Sequence, residues 1–101
     1  MKEPATLSTM EELRVEIDAL DRQLIALLAH RTRLVARAAE IKQVVGLPAR
    51  IPERVEDVVA KVRARAAEAG VDDGLAERLW RDMIEHFIAQ EEQVLGKGDG
   101  Q

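Results

Sequence analysis

Cysteine and tyrosine are absent from this 101-residue sequence, which carries only one Phe and one Trp. Without cysteine the chain can form neither disulfides nor thiolate metal ligands. Its two histidines, His30 and His86, have no partners at metal-ligand spacing. The sequence also contains no glycine-rich phosphate loop and no recognisable pairing of a nucleophile with a base. We therefore expect no metal site.

Long hydrophobic runs and an excess of positive charge are missing as well. No apolar stretch approaches the roughly 20 residues of a membrane span, and the N-terminal segment lacks the apolar core of a signal peptide. We therefore expect a cytoplasmic protein that does not bind membranes. The formal net charge of −4 argues against general binding to nucleic acid. A cluster of cations in such an acidic protein would more readily serve a small anion.

The residues that are present predict an all-α chain of three helices. A stretch from Ser8 to Val45 has no Pro or Gly and is rich in Leu, Ala, Glu and Arg, which are strong helix formers. Ser8 or Thr9 is the expected N-cap. Glycine and proline then punctuate the chain, which predicts a second helix over 52–69 and a third from Asp72 or Asp73 to about Leu95. We expect a single domain over 1–101, with flexible tails at 1–7 and 96–101.

Two cations fall within the apolar stripe of the first helix. At about 100° per residue, Arg31 and Lys42 share a face with one set of apolar side chains: Leu13, Ile17, Leu20, Leu24, Leu27, Leu34, Ala38 and Val45. One interpretation is that their long stems lie over the edge of a core while the charged heads reach water. The other is an anion site, because a buried cation without an anionic partner is costly.

Arg14 lies on a different side of the same helix. It is about 100° around the helix from Arg31 and roughly 25 Å away along the axis, so the two side chains cannot meet within one straight helix. A second apolar flank surrounds Arg14, made of Leu7, Met10, Ile25, Leu28 and Ala39. From this width we expect a second chain against the first helix, with Arg14 reaching the partner's site. The alternative is a solvated arginine.

The third helix also carries a charged residue within its apolar stripe, in this case a carboxylate. Glu91 falls within a stripe of apolar residues: Trp80, Met83, Ile84, Phe87, Ile88, Val94 and Leu95. A carboxylate at such a position should pair with a cation, be protonated or take part in chemistry. A structural ion pair with Arg31 or Lys42 is the alternative to a functional role. Arg54 and Arg50 could each close the mouth of a cavity, although Arg50 is better interpreted as a surface arginine.

Several short motifs together resemble a known family: Leu13-Arg14-x-x-Ile17-Asp18-x-x-Asp21, Leu27-Leu28-Ala29-x-Arg31, Ile41-Lys42, Glu53-Arg54 and Trp80-x-x-Met83-Ile84-Glu85. With the length and the helix order, they are similar to the all-helical AroQ class of chorismate mutases over about Met10 to Glu92. The resemblance implies an intertwined homodimer of three-helix chains with two sites, in which Arg14 crosses to the partner's site. Arg14 and Arg31 would hold the carboxylates of a small dicarboxylate substrate.

The same resemblance implies roles for three further residues. Lys42 would bind a carboxylate and the ether oxygen, Arg54 would assist from the second helix, and Glu91 would face the reacting atoms. The implied reaction is the Claisen rearrangement of chorismate to prephenate, which needs no cofactor. Such a site holds a compact conformer and stabilises the charge that develops on the breaking C–O bond.

The sequence departs from the family pattern in two places. Typical bacterial members are similar except that they carry Gln where this chain has Glu91, and a glutamate can donate a hydrogen bond only when it is protonated. We therefore expect turnover to rise as the pH falls. Burial favours the protonated form of Glu91, whereas Lys42 favours the carboxylate. Typical members also carry carboxylates at the positions that correspond here to Ile51 and Val55.

Two alternatives remain from the sequence. The run Pro52-Glu53-Arg54-Val55 and the opening Met1-Lys2-x-Pro4 are more similar to isochorismate pyruvate-lyase, which uses the same kind of cationic pocket to release pyruvate. A non-catalytic helical dimerisation or regulatory module is the second. In that case Arg31, Lys42 and Glu91 would only neutralise one another.

Overall fold

A computed structural model of the chain describes residues 2–96, and this stretch is helical without a β-strand. A short 3₁₀ turn at Pro4–Thr6 precedes three α-helices: α1 at Met10–Val45, α2 at Pro52–Ala69 and α3 at Asp73–Leu95. The predicted all-α class and the order of a long helix followed by two shorter ones are confirmed. The 3₁₀ turn lies within the predicted N-terminal tail, and the predicted tail residues 97–101 lie outside the described residues.

Local sequence signals account for the helix ends. Thr9, and not Ser8, caps α1: its hydroxyl accepts from the Glu12 N–H at 3.1 Å. Gly46 ends α1 with a φ of 80°, and the carbonyl of Lys42 accepts from the N–H groups of Gly46 and Leu47. Asp72 caps α3 by accepting from the Leu75 N–H at 2.9 Å.

Tertiary contacts divide the chain into two compact units, one that ends at Val35 and one that begins at Ala36. The boundary falls inside α1, so the last ten residues of that helix belong to the second unit. In the second unit, α2 and α3 pack against each other around Val62, Ala66 and Ala76, which are all buried. Val58 and Trp80 pack against this cluster. The single-domain organisation expected from the length stays a prediction.

The apolar stripe of α1 behaves differently from the α2–α3 core. None of the 36 residues of α1 is buried, and Leu27 is 66% exposed. Other large apolar side chains of the stripe are also exposed: Ile17, Leu20, Leu24, Leu34 and Val45. On α3 the predicted stripe is correct at Ile88 and wrong at Val94, which is 64% exposed. Val94 lies in the last turn of α3. Within residues 2–96, no helix has the length and hydropathy needed to cross a membrane.

Charged side chains also join α2 to α3. Arg81 donates to both Glu77 at 2.6 Å and Glu56 at 2.9 and 3.1 Å. Arg63 donates to Asp73 at 2.8 Å and also to Glu77. Glu77 therefore accepts from two arginines, and these hydrogen bonds, with that from Arg81 the larger, hold the pKa of its carboxyl below the ordinary value of 4.5.

The Glu77 network predicts a pH-dependent contribution to stability. Because the folded-state pKa of Glu77 lies below its unfolded value, its contribution is present above about pH 4.5 and is lost as the pH falls through the folded-state value. We expect Glu77→Gln to lower the midpoint of urea unfolding near neutral pH, and the difference from the wild type to shrink at about pH 3. Glu68→Gln is the control, since Glu68 on α2 forms no ion pair within residues 36–96. A Glu77→Gln effect that is equally large at about pH 3 would contradict this assignment.

Candidate active site

Lys42 and Glu91 form the most buried ion pair among the described residues. The Lys42 ammonium donates to Oε2 of Glu91 at 3.0 Å and lies 3.4 Å from Oε1. Glu91 is 7% exposed and is the one buried charged residue within residues 2–96. The Lys42 side chain is 18% exposed. Glu91 is buried, as its position within an apolar stripe indicated, and Lys42 is partly covered.

The Lys42–Glu91 pair forms because the C-terminal ends of α1 and α3 lie close together. Lys42 lies in the last turn of α1 and Glu91 in the second-to-last turn of α3. A carboxylate removed from water needs a cation and hydrogen bonds to remain charged. Lys42 supplies both, so the ion pair that the sequence left as an alternative is present in the structure.

A backbone carbonyl completes the environment of Lys42. The ammonium also donates to the carbonyl oxygen of Ala49 at 2.8 Å. Ala49 lies in the loop between α1 and α2, and it is 3% exposed. The left-handed Gly46 turns the chain out of α1, and Pro48 and Pro52 restrict the backbone on either side of Ala49. The loop therefore points a fixed acceptor at the lysine.

Ala49 and both carboxylate oxygens of Glu91 accept from the Lys42 ammonium. A lysine ammonium has three donors, and within residues 36–96 its hydrogen-bond acceptors are Ala49 and Glu91. Lys42 also lines an open hollow together with Leu47, Pro48 and Val94. A ligand oxygen that enters beside Lys42 would thus meet a cation whose position is already set.

The other predicted site residues occupy different surroundings. Arg54 is exposed in the first turn of α2, and its guanidinium donates to Asp57 at 2.7 Å and not to Glu91. Arg14 and Arg31 belong to the first unit, where Arg14 is exposed and Arg31 is half-buried. The structure therefore brings together Lys42 and Glu91, and the roles of Arg14, Arg31 and Arg54 stay predictions.

Arg50 has a partner that the sequence did not reveal. Its two terminal nitrogens donate to Glu85 on α3 at 2.8 and 2.6 Å. The hydrogen bond from Arg50 holds the pKa of the Glu85 carboxyl below its usual range, and Glu85 raises the pKa of Arg50. Sequence analysis also missed the Ala49 carbonyl. A backbone acceptor has no residue signature, and only the two flanking prolines indicated a fixed loop.

Comparison with known proteins identifies the family. The family model described as chorismate mutase type II matches residues 13–92, which include both Lys42 and Glu91. A chorismate mutase from Methanocaldococcus jannaschii is 32% identical over 89 residues, which cover 88% of this chain and 90% of that protein. The chain therefore belongs to the type II chorismate mutase family, as its motifs predicted.

Two further relatives show how the same segment occurs in other proteins. A T-protein from Haemophilus influenzae is 37% identical over 87 residues, which cover 86% of this chain but 23% of that longer protein. A 4-amino-4-deoxychorismate mutase from Streptomyces venezuelae is 31% identical over 88 residues, covering 87% of this chain and 85% of that protein. No solved structure gave a significant match.

The buried pair predicts unequal effects of removing its two partners. Lys42→Met leaves the Glu91 carboxylate buried without a cation, so we expect it to lower the unfolding free energy near neutral pH by about 2–4 kcal/mol. Glu91→Gln should cost less, because the amide is neutral and Lys42 keeps some access to water. The double variant should recover part of the Lys42→Met loss. Urea unfolding at fixed protein concentration measures all three.

Lys61→Met is the matched control for the loss of a lysine. Lys61 pairs with Asp57 at 2.9 Å on an exposed part of α2, where screening by water leaves an ion pair little net stabilisation. The account is wrong if Lys42→Met is no more destabilising than Lys61→Met or Glu91→Gln.

Proposed function

We propose that this chain is a chorismate mutase that rearranges chorismate to prephenate as a cytoplasmic homodimer without a cofactor. The observation that carries the proposal is the Lys42 ammonium, which the Ala49 carbonyl and Glu91 hold beside an open hollow. It lies within the segment that matches the chorismate mutase type II family. A relative that aligns over nearly its whole length carries the name chorismate mutase.

The proposed reaction needs positioning and electrostatics from the protein. In the rearrangement one C–O bond breaks while one C–C bond forms within the same molecule, so no nucleophile, reductant or oxidant is consumed. Negative charge develops on the ether oxygen as the C–O bond lengthens. The Lys42 ammonium is suited to stabilise this charge, because a preorganised cation does not have to be repositioned during the reaction.

The arginines are proposed to hold the two carboxylates of the substrate. Guanidinium groups bind carboxylates through two parallel hydrogen bonds, which fixes orientation as well as position. Arg31 and Arg14 are assigned this role, with Arg14 coming from the partner subunit. Arg54 would assist in holding the substrate. Its guanidinium would first have to release Asp57, its ion-pair partner one helical turn away.

The exposed stripe of α1 supports the homodimer. Within the first unit, apolar side chains such as Ile17, Leu24 and Leu27 are about half or more exposed. The flank around Arg14 adds Met10 and Ile25, which are exposed by a similar fraction. Contiguous apolar surface of this kind marks protein interfaces. A second α1 helix would cover it and would place Arg14 beside the other subunit.

Two related substrates belong in the same assay. Pro52-Glu53-Arg54-Val55 forms the first turn of α2, and this is the run that resembles isochorismate pyruvate-lyase. One relative is named a 4-amino-4-deoxychorismate mutase. Salicylate fluorescence from isochorismate would favour the lyase, and turnover of the amino compound would favour that specificity. Absence of turnover with every substrate, together with no stabilisation by a dicarboxylate transition-state analogue, would favour the non-catalytic module.

Subunit complementation tests the activity and the shared site together. We expect Arg14→Ala and Arg31→Ala each to reduce the rate of chorismate loss by about a hundredfold or more. When the two variants are mixed and allowed to exchange subunits, half of the dimers are mixed, and one of their two sites has both arginines. Activity should therefore return to about one quarter of the wild-type value.

Arg33→Ala is the control, because Arg33 lies on the opposite side of α1 from Arg31 and should retain wild-type turnover. If the mixture stays as inactive as its components, Arg14 does not cross to the partner's site. If Arg31→Ala turns over chorismate normally, the site assignment itself fails.

The pH–rate profile tests the proposed protonation of Glu91. Glu91 accepts from Lys42, and a carboxylate can donate to the ether oxygen only after taking up a proton. We expect kcat/KM of the wild type to rise as the pH falls and that of Glu91→Gln to be flat, because an amide donates at any pH. The measurement is initial chorismate loss between about pH 5 and 8. Equally flat profiles for both proteins would rule out a protonated Glu91.

A further inference from the structure

The loop between α1 and α2 is fastened to α3 by the Arg50–Glu85 pair. Two parallel hydrogen bonds of 2.8 and 2.6 Å join the guanidinium to the carboxylate. This fork geometry fixes the orientation of the guanidinium as well as its distance from the carboxylate. Arg50 is the residue directly after Ala49, so both belong to the peptide unit whose carbonyl accepts from Lys42.

These contacts link the loop, α1 and α3 within the second unit. Glu85 accepts from Arg50, the Ala49–Arg50 peptide accepts from Lys42, and Lys42 donates to Glu91. Both glutamates lie on α3, six residues apart, so the series of contacts begins and ends on the same helix. A peptide unit is planar and rigid. Tying the Arg50 side chain to α3 therefore restrains the direction in which the Ala49 carbonyl points.

We propose that Arg50 and Glu85 are positioning residues that set the Lys42 ammonium for the rearrangement. The inference rests on the proposed function, because it assigns the pair a role through Lys42. With the pair intact, the Ala49 carbonyl balances the pull of Glu91 on the ammonium. When the pair is lost, the loop can move the carbonyl away, and Lys42 turns further toward Glu91. The ammonium is then displaced from the position in which it would meet the developing charge.

A second surface ion pair in the same chain provides a control that distinguishes a positioning role from a general effect on stability. Arg81 and Glu56 also form a two-bond contact, at 2.9 and 3.1 Å, between α2 and α3. Their exposure is similar to that of Arg50 and Glu85. Neither Arg81 nor Glu56 hydrogen-bonds to Lys42, Ala49 or Glu91 within the described residues. Glu56→Gln is therefore a matched control for Glu85→Gln.

The test combines kinetics with a signal from Lys42 itself. We expect Glu85→Gln and Arg50→Gln each to lower kcat for chorismate about fivefold, with KM changed by less than about twofold. The ammonium resonance of Lys42, observed by proton–nitrogen NMR and assigned by its loss in Lys42→Gln, should weaken or shift in both variants. Glu56→Gln should change neither kcat nor this resonance. The exchanged pair Arg50→Glu with Glu85→Arg should restore part of the lost kcat.

Each outcome decides the inference. Unchanged kcat and an unchanged Lys42 resonance in Glu85→Gln would overturn it. An equal loss of kcat in Glu56→Gln would also overturn it, because the effect would then follow general stability. If the wild type does not turn over chorismate, the proposed function fails, while the Lys42 resonance in Glu85→Gln still shows whether the pair positions the ammonium. A resonance that moves in Glu85→Gln and not in Glu56→Gln supports the positioning role.

Discussion

The contact between the Lys42 ammonium and the Glu91 carboxylate is the constraint on which the site depends. A pair of charges this far from water gains little stability over apolar side chains of the same size, because desolvation offsets most of the attraction. The pair contributes to geometry, because it holds the end of α1 against the end of α3 in one arrangement. The Ala49 carbonyl accepts a further hydrogen bond from the lysine. The chain thus holds a cation at a defined point between the ends of α1 and α3.

The distribution of apolar surface supports the proposed homodimer. The buried core among the described residues is small and consists mostly of Val and Ala side chains between α2 and α3. The large Leu and Ile side chains are concentrated on α1, where none is buried. A short chain buries a limited fraction of its surface. Covering α1 with a second copy would bury these large apolar side chains. In the proposed dimer it would also bring Arg14 to the active site of the other subunit.

Helical periodicity and turn residues were sufficient to predict most of the fold. Gly46, Gly70 and the two prolines around Arg50 marked the helix ends closely, and the stripe position of Glu91 indicated that it is buried. Val94 belongs to the α3 stripe by periodicity and is nevertheless exposed, because periodicity does not show which part of a stripe is packed. The Ala49 carbonyl and the Arg50–Glu85 contact were missed because loop geometry decides them, and the sequence pattern contains no record of loop geometry.

The account is tested most directly by the structure of this chain with a dicarboxylate transition-state analogue bound. The account predicts two chains in the complex, with the ether-type oxygen of the analogue within hydrogen-bond distance of Lys42 and Glu91. Arg31 of one subunit and Arg14 of the other should contact the carboxylates, while Lys42 keeps its bond to Ala49. An analogue bound away from Lys42, or a site completed by a single chain without a partner's arginine, would contradict the account.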